Sequence, residues 1–230
     1  MDTVQKTPSI GFKSRLGAIG IGILFMVVAL VVQEIIESVL SIYFLFTVGA
    51  HSLSKTLLDF ESGNIVLYSV FIGLAAGFCQ EFSKFVAVDT RKLSLTIFVG
   101  LGFSFVDIAV LMAGNIQEFA SLTGFAVLLI FFNTVESLVF HPSTSLILKW
   151  GHIKSRKVIS LAYSVLVHAA IDGGLVYTDL LILSNPHLYR GLSLEYWGIV
   201  FALTIITALI AFILTRGLEE IQVKEAPVVY

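Results

Sequence analysis

Six apolar stretches, each long enough to cross a lipid bilayer, constrain the fold of this 230-residue chain. A helix that crosses the hydrocarbon core needs about 20 predominantly apolar residues. The sequence therefore predicts an all-α polytopic membrane protein, a bundle of about six transmembrane helices that forms one integral membrane domain over 1–230. The predicted spans lie near 16–40, 64–88, 93–114, 119–149, 157–183 and 193–215.

The composition agrees with a chain embedded in the lipid bilayer. Hydrophobic residues make up 57% and charged residues 13% of the sequence, and the mean hydropathy is +0.96. The formal net charge of -2 is too balanced for a nucleic-acid-binding protein, so no nucleic-acid partner is expected. The single cysteine, Cys79, excludes a disulfide scaffold and a cysteine-rich zinc module.

The first apolar stretch continues beyond its span, from Leu16 to Val48, which corresponds to about 50 Å of helix. It contains no proline, and no glycine between Gly22 and Gly49 that would favour a turn. We expect one long helix rather than a hairpin. The stretch also exceeds the apolar region of a cleaved signal peptide.

The positions of the 14 Lys and Arg residues predict the orientation in the membrane. In the six-span topology Lys55 and Arg190 fall on one side, and Lys84 lies inside a span. Because cations are enriched in cytoplasmic loops, both termini are predicted to be cytoplasmic, with 217–230 as a polar tail, in a multi-pass protein of the cell membrane. The remaining cations share the opposite side: Lys6, Lys13, Arg15, Arg91, Lys92, Lys149, Lys154, Arg156, Lys157, Arg216 and Lys224.

Ionisable side chains inside the spans are the candidates for function, because a charge at mid-membrane is costly and normally faces the bundle interior. Glu81 and Lys84 lie three residues apart on one helix face, where they could instead neutralise each other without reacting. The full set is Glu34, Glu37, Glu81, Lys84, Asp107, Glu136, His141, His168, Asp172 and Asp179.

Three of these residues are predicted to share one depth. Measured from the ends of the predicted spans, Glu81, His141 and His168 lie roughly 10 to 17 Å below the cytoplasmic surface. Asp172 follows His168 by four residues, so its carboxylate can orient the ring or share a ligand with it. We predict that Glu81, His141 and His168 converge on one cavity open to the cytoplasmic half of the bilayer.

Two chemistries suit these groups. In the first, Glu81 and His141 take a proton from water, and His168 with Asp172 stabilises the oxyanion of a tetrahedral intermediate. In the second, the same four residues hold zinc, which activates a bound water. The helical zinc signature H-E-x-x-H is absent, so spacing does not decide between them. We favour the route without a cofactor, because Lys84 beside Glu81 would disfavour a divalent ion in the same pocket.

Four short motifs follow one another, each on its own predicted span. They are Gly77 to Lys84 (G-F-C-Q-E-F-S-K), Gly100 to Asp107 (G-L-G-F-S-F-V-D), Phe140-His141, and the H-x-x-x-D of His168 to Asp172. In this order they resemble the E-E-x-x-K/R motif, the G-x-G-F-x-x-x-E element and the two histidine motifs of the PrsW and YhfC type membrane proteases. That family is related to the CAAX prenyl endopeptidases and to bacteriocin-processing enzymes.

The resemblance implies an intramembrane endopeptidase of glutamate type, or of metallo type, that hydrolyses or binds a membrane-embedded polypeptide. It also implies the site residues, with Gln80, Lys84 and Asp107 in supporting positions. The implied catalytic residues are Glu81, His141, His168 and Asp172.

The sequence departs from the family pattern at Gln80, where the family has the first of two adjacent glutamates, because an amide cannot act as a base. Asn133 and Glu136 also stand on a stretch where the family often has a cation. A catalytically inactive scaffold or chaperone of the same fold is therefore the alternative. A further alternative is a small proton-coupled transporter, whose relay would be Glu81, Lys84, Asp107 and Glu136.

Overall fold

The computed structural model describes residues 11–114 and 123–218, and every regular element in these ranges is helical. Six of the helices are long and apolar enough to cross a membrane. This confirms the predicted all-α, multi-pass architecture. The helices are α1 (Phe12–Val48), α2 (Leu53–Gly63), α3 (Ile65–Asp89), α4 (Leu93–Gly114), α5 (Gly124–Ile153), α6 (Lys157–Ser184) and α7 (Tyr189–Thr215), and a short 3-10 turn, Pro186–Leu188, precedes α7.

The helix bounds differ from the predicted spans at a few ends. The first helix runs without interruption to Val48, and the short helix α2 occupies the connection after it, where no helix was predicted. The fourth membrane helix begins at Gly124 rather than at 119, and the last begins at Tyr189 rather than at 193. Lys6, Lys224, residues 119–122 and the predicted tail from 219 onward lie outside the described residues.

Five helices surround the centre of the bundle. In the order α1, α3, α6, α5 and α4, each contacts the next, and α4 contacts α1 to close the ring. The seventh helix packs outside this ring, against α5 and α6. Polar side chains that face inward from the ring are therefore shielded from lipid on all sides.

Close contact between α3 and α6 depends on small residues. A Cβ atom at Gly77 would lie 2.7 Å from the carbonyl oxygen of Val165 and 2.9 Å from the amide nitrogen of Ala169. Backbones can approach this closely only where a side chain is missing. The contact lies one turn from Glu81 on α3 and next to His168 on α6, so it sets the separation of these two residues.

A second glycine brings α4 against α5. A Cβ atom at Gly100 would lie 2.7 Å from the carbonyl oxygen of His141 and equally close to the nitrogen of Pro142. The backbone that carries His141 is therefore held directly against α4. Two turns further along α4, the same face carries Asp107 toward the His141 ring.

Two apolar clusters fix the helices around the polar centre. The first packs α1, α3, α4 and α5 near the short connections 90–92 and 154–156, and the second holds α7 to α5 and α6. The outer surface carries exposed apolar side chains, as expected for contact with lipid. The buried members of the first cluster are Ala18, Met26, Ala87, Val88, Val99, Phe103 and Leu148, and those of the second are Phe140, Ile171, Tyr196, Trp197 and Val200.

Candidate functional site

Glu81 lies at the centre of the polar side chains, and its side chain is fully buried. One carboxylate oxygen, Oε1, accepts hydrogen bonds from Lys84 Nζ at 2.6 Å and from His168 Nδ1 at 2.7 Å. The other oxygen, Oε2, is buried and has no hydrogen-bond partner among the described residues. Glu81 therefore joins α3 to α6 through a single charged oxygen.

Lys84 uses all three of its N–H donors inside the protein. It donates to Glu81 Oε1, to Thr144 Oγ1 at 2.8 Å and to His141 Nδ1 at 2.9 Å. Its side chain is fully buried, and its ammonium group lies 5.1 Å from the centre of the Phe103 ring. A lysine in this position is satisfied by hydrogen bonds, by the Glu81 charge and by a cation–π contact.

The contact with Lys84 determines the tautomer of His141. An ammonium group can only donate, so Nδ1 of His141 accepts, and in the neutral ring the proton is on Nε2. That Nε2 lies 3.8 Å from Asp107 Oδ2, which is longer than a direct hydrogen bond. His141 therefore directs an N–H group away from the Glu81–Lys84 pair.

His168 has the opposite arrangement. Its Nδ1 donates to Glu81, so in the neutral ring Nε2 carries a lone pair rather than a proton. That Nε2 lies 3.4 Å from Asp172 Oδ2, one turn further along α6. The His141 and His168 ring centres are 5.5 Å apart. If both rings are neutral, His141 therefore has a donor and His168 an acceptor at the nitrogen that the Glu81–Lys84 pair does not hold.

A cavity of about 220 Å³ lies beside the two histidines. Glu81 and Lys84 do not line it, because they lie behind the rings. The side chains of Asp107 and Asp172 are 33% and 31% exposed. The cavity is therefore open to the outside of the bundle. The lining residues are Gln80, Asp107, Val110, Leu111, Asn133, Glu136, Phe140, His141, His168, Ile171, Asp172, Leu175 and Tyr196.

The direction of the cavity differs from the predicted one. Val110 and Leu111 lie in the last two turns of α4, so the cavity extends toward the bundle end that carries the connections 115–123 and 185–188. At the other end, Lys149 donates to the carbonyl oxygens of Val88 and Asp89 at 3.1 and 2.9 Å. With the predicted orientation, the cavity extends from mid-membrane toward the non-cytoplasmic side, whereas we expected it to open to the cytoplasmic half.

Gln80 lines the cavity on the side of α1. Its Nε2 donates to Gln33 Oε1 at 3.1 Å, and Gln33 Nε2 donates to Glu37 Oε1 at 2.9 Å. The Oε1 atom of Gln80 is buried without a hydrogen-bond partner among the described residues. The Gln80 side chain therefore lines the cavity and is held to α1 by a hydrogen bond.

All the predicted site residues, catalytic and supporting, lie together in this region. Glu136 lines the cavity as well, whereas Glu34 and Asp179 are exposed elsewhere on the bundle. Sequence reasoning missed Gln33 and Thr144. Thr144 follows His141 by three residues, so the helical spacing was a usable signal for it.

Glu81, His141 and His168 are the described residues that could hold a divalent ion, and Lys84 lies among them. Their ligand atoms lie within 4.8 Å of one another, which suits a metal centre by distance alone. However, the ammonium of Lys84 lies between two of these ligands, at 2.6 Å from Glu81 and 2.9 Å from His141. The lysine supplies the positive charge that a metal would bring.

Comparisons of the chain with family models, with curated proteins and with solved structures give no match. The resemblance to the PrsW and YhfC type proteases therefore depends on the short motifs themselves. What the site does has to be argued from its geometry.

Proposed function

We propose that this protein hydrolyses peptide bonds of a membrane-embedded polypeptide at the cavity beside His141 and His168. One observation carries the proposal: both rings line one cavity, with ring centres 5.5 Å apart, and Lys84 and Glu81 hold only the Nδ1 atom of each ring. Acyl transfer needs a base for the attacking water and a donor for the developing oxyanion. The motif resemblance to membrane proteases supports the same class of reaction.

His168 is the proposed general base. Its Nε2 faces the cavity, while its Nδ1–H is held by Glu81 Oε1 at 2.7 Å. A carboxylate that holds one ring nitrogen fixes the tautomer and stabilises the imidazolium after proton transfer. Glu81 itself is fully buried and does not line the cavity, so it acts by positioning His168. The sequence suggested instead that Glu81 and His141 take the proton from water and that His168 with Asp172 stabilises the oxyanion.

His141 is the proposed oxyanion donor. Its Nε2–H faces the cavity, and Lys84 holds its Nδ1 at 2.9 Å from behind. A preorganised N–H group with a nearby positive charge stabilises negative charge that develops on a carbonyl oxygen. Because both partners are buried, this donor needs no reorganisation during the reaction.

The proton movements follow from these roles. His168 Nε2 takes a proton from water, and the water oxygen bonds to the carbonyl carbon. When the C–N bond breaks, the protonated His168 returns the proton to the leaving amine. Asp172, whose Oδ2 lies 3.4 Å from Nε2, stabilises the ring while it is charged.

The proposal is tested with purified protein in proteoliposomes and a reporter whose transmembrane segment contains helix-destabilising residues. We expect His168→Gln and His141→Gln to remove cleavage, because each deletes one cavity-facing nitrogen. His187→Gln is the matched control, since His187 is exposed in the turn before α7. Cleavage that survives both cavity substitutions would contradict the proposal. If the unmodified protein cleaves none of a broad set of membrane substrates, the scaffold alternative is favoured instead.

A further inference from the structure

The cavity has an excess of negative charge. Asp107, Glu136 and Asp172 line it from three different helices, and the lining residues that the structure describes include no lysine or arginine. The nearest buried cation, Lys84, lies behind the histidines and is already paired with Glu81. His141 and His168 lie beside Asp107 and Asp172, which leaves Glu136 as the carboxylate that favours a positively charged occupant.

Glu136 has the strongest need for a partner. It is only 5% exposed, lines the cavity, and has no hydrogen-bond or ion-pair partner among the described residues. A buried carboxylate without a partner is strongly unfavourable, whereas one that meets a cation is not. Glu136 lies on α5 between two other lining residues, Asn133 toward the start of the helix and His141 five residues further on.

The size and walls of the cavity indicate the kind of cation. A volume of about 220 Å³ exceeds the space of a single metal ion. The walls toward the mouth are apolar, formed by Val110, Leu111 and Leu175, and Tyr196 adds an aromatic side. Lys and Arg side chains combine an apolar stem with a charged head in the same way.

We propose that the cavity binds the Lys or Arg side chain of a membrane-embedded polypeptide. Glu136, Asp107 and Asp172 hold its head group, and the apolar walls hold its stem. Basic residues of membrane segments lie near the ends of their helices, which matches a cavity that extends from mid-membrane to one end of the bundle. The identity of the occupant as a substrate rests on the proposed function, so that cleavage occurs next to a basic residue.

Cation binding is measured first, without any cleavage. Purified protein in detergent is titrated with n-butylammonium and, separately, with n-butanol, and the thermal unfolding midpoint is recorded. We expect n-butylammonium alone to raise the midpoint. Glu136→Gln should weaken its binding by about tenfold or more, since one charged partner is lost. Glu34→Gln is the matched control, because Glu34 is exposed on α1.

Three outcomes overturn the proposal. These are equal effects of the amine and the alcohol, unchanged amine binding in Glu136→Gln, and stabilisation by Zn²⁺ or Mn²⁺ but not by n-butylammonium, which would indicate a metal site. If Glu136→Gln does not fold, Asp107→Asn is titrated in its place and the same weakening is expected.

The cleavage reporter separates this inference from the proposed function. Reporters that carry Lys, Arg or Met at successive positions near the end of the transmembrane segment are compared. We expect cleavage next to Lys or Arg to be preferred over Met. Cleavage without this preference would overturn the inference and leave the proposed function standing. Binding of n-butylammonium without cleavage of any reporter would leave the cation-binding cavity standing and overturn the proposed function.

Discussion

Lys84 Nζ lies 2.6 Å from Glu81 Oε1, three residues away on the same helix, and neither side chain is exposed. The pair lies behind the two histidines and holds one nitrogen of each ring. Charges this deep in a membrane protein persist only when they satisfy each other. The pair therefore supports the candidate site from inside the bundle.

Removal of the cation should destabilise the fold. We expect Lys84→Met to lower the free energy of unfolding by about 3–5 kcal/mol, because it leaves the Glu81 carboxylate buried without its cation. The double variant Lys84→Met/Glu81→Gln should recover part of this loss. The measurement is denaturant unfolding in mixed micelles, with Lys55→Met as the control, because Lys55 is exposed on α2. A double variant less stable than Lys84→Met would contradict the pairing.

Removal of the carboxylate should affect the reaction more than the fold. Glu81→Gln keeps the side-chain shape, but its amide can donate to His168 and stabilise the wrong tautomer. We expect cleavage of the reporter to fall by about 10²- to 10⁴-fold. The unfolding midpoint is measured on the same samples, to show that the variant is folded. Proteolysis that persists in folded Glu81→Gln would show that Glu81 does not position the base.

A carboxylate at position 80 is not required if His168 is the base. We expect Gln80→Glu to change the cleavage rate by less than about tenfold, well below the usual contribution of a general base. The substitution removes the N–H group that donates to Gln33 Oε1 at 3.1 Å, so the Gln33 amide has to turn before its Nε2 can donate to the new carboxylate. If the unmodified protein is inactive and Gln80→Glu creates cleavage, the chain is a scaffold and position 80 carries the base.

A larger side chain at Gly77 should disturb both the packing of α3 against α6 and the candidate site. A side chain at Gly77 would meet Val165 and Ala169 at less than 3 Å, so Gly77→Val must push α3 and α6 apart. We expect a loss of about 1–3 kcal/mol in unfolding free energy, together with lower cleavage, because Glu81 moves away from His168. Gly198→Ala is the control, since nothing lies within 4 Å of that position. Unchanged stability of Gly77→Val would show that the helices are not held at this contact.

Metal removal should not affect the reaction. Since Lys84 lies between Glu81 and His141, we expect cleavage to be unchanged by EDTA and by 1,10-phenanthroline. Elemental analysis of the purified protein should show no stoichiometric zinc. Zinc at one equivalent that is lost in His141→Ala or His168→Ala would overturn the metal-free route.

The fold could be predicted because length and hydropathy are nearly sufficient for a membrane helix. The meeting of Glu81, His141 and His168 could also be predicted, since a common depth on three helices restricts where they lie. Depth contains no information on rotation about a helix axis. For this reason the sequence did not show that Glu81 lies behind the rings, that Lys84 contacts His141, or which way the cavity extends. Gln33 was missed because a neutral amide gives no strong signal among apolar residues.

Lys149 joins α5 to the last residues of α3, and Thr144, Ser145, Ile147 and Leu148, between this contact and His141, are buried. The cavity is therefore closed at this end and does not form a passage across the bilayer. Whatever occupies it must leave by the route through which it entered. A slowly departing product would then delay the next turnover, and transport across the membrane would require the Lys149 contact to break.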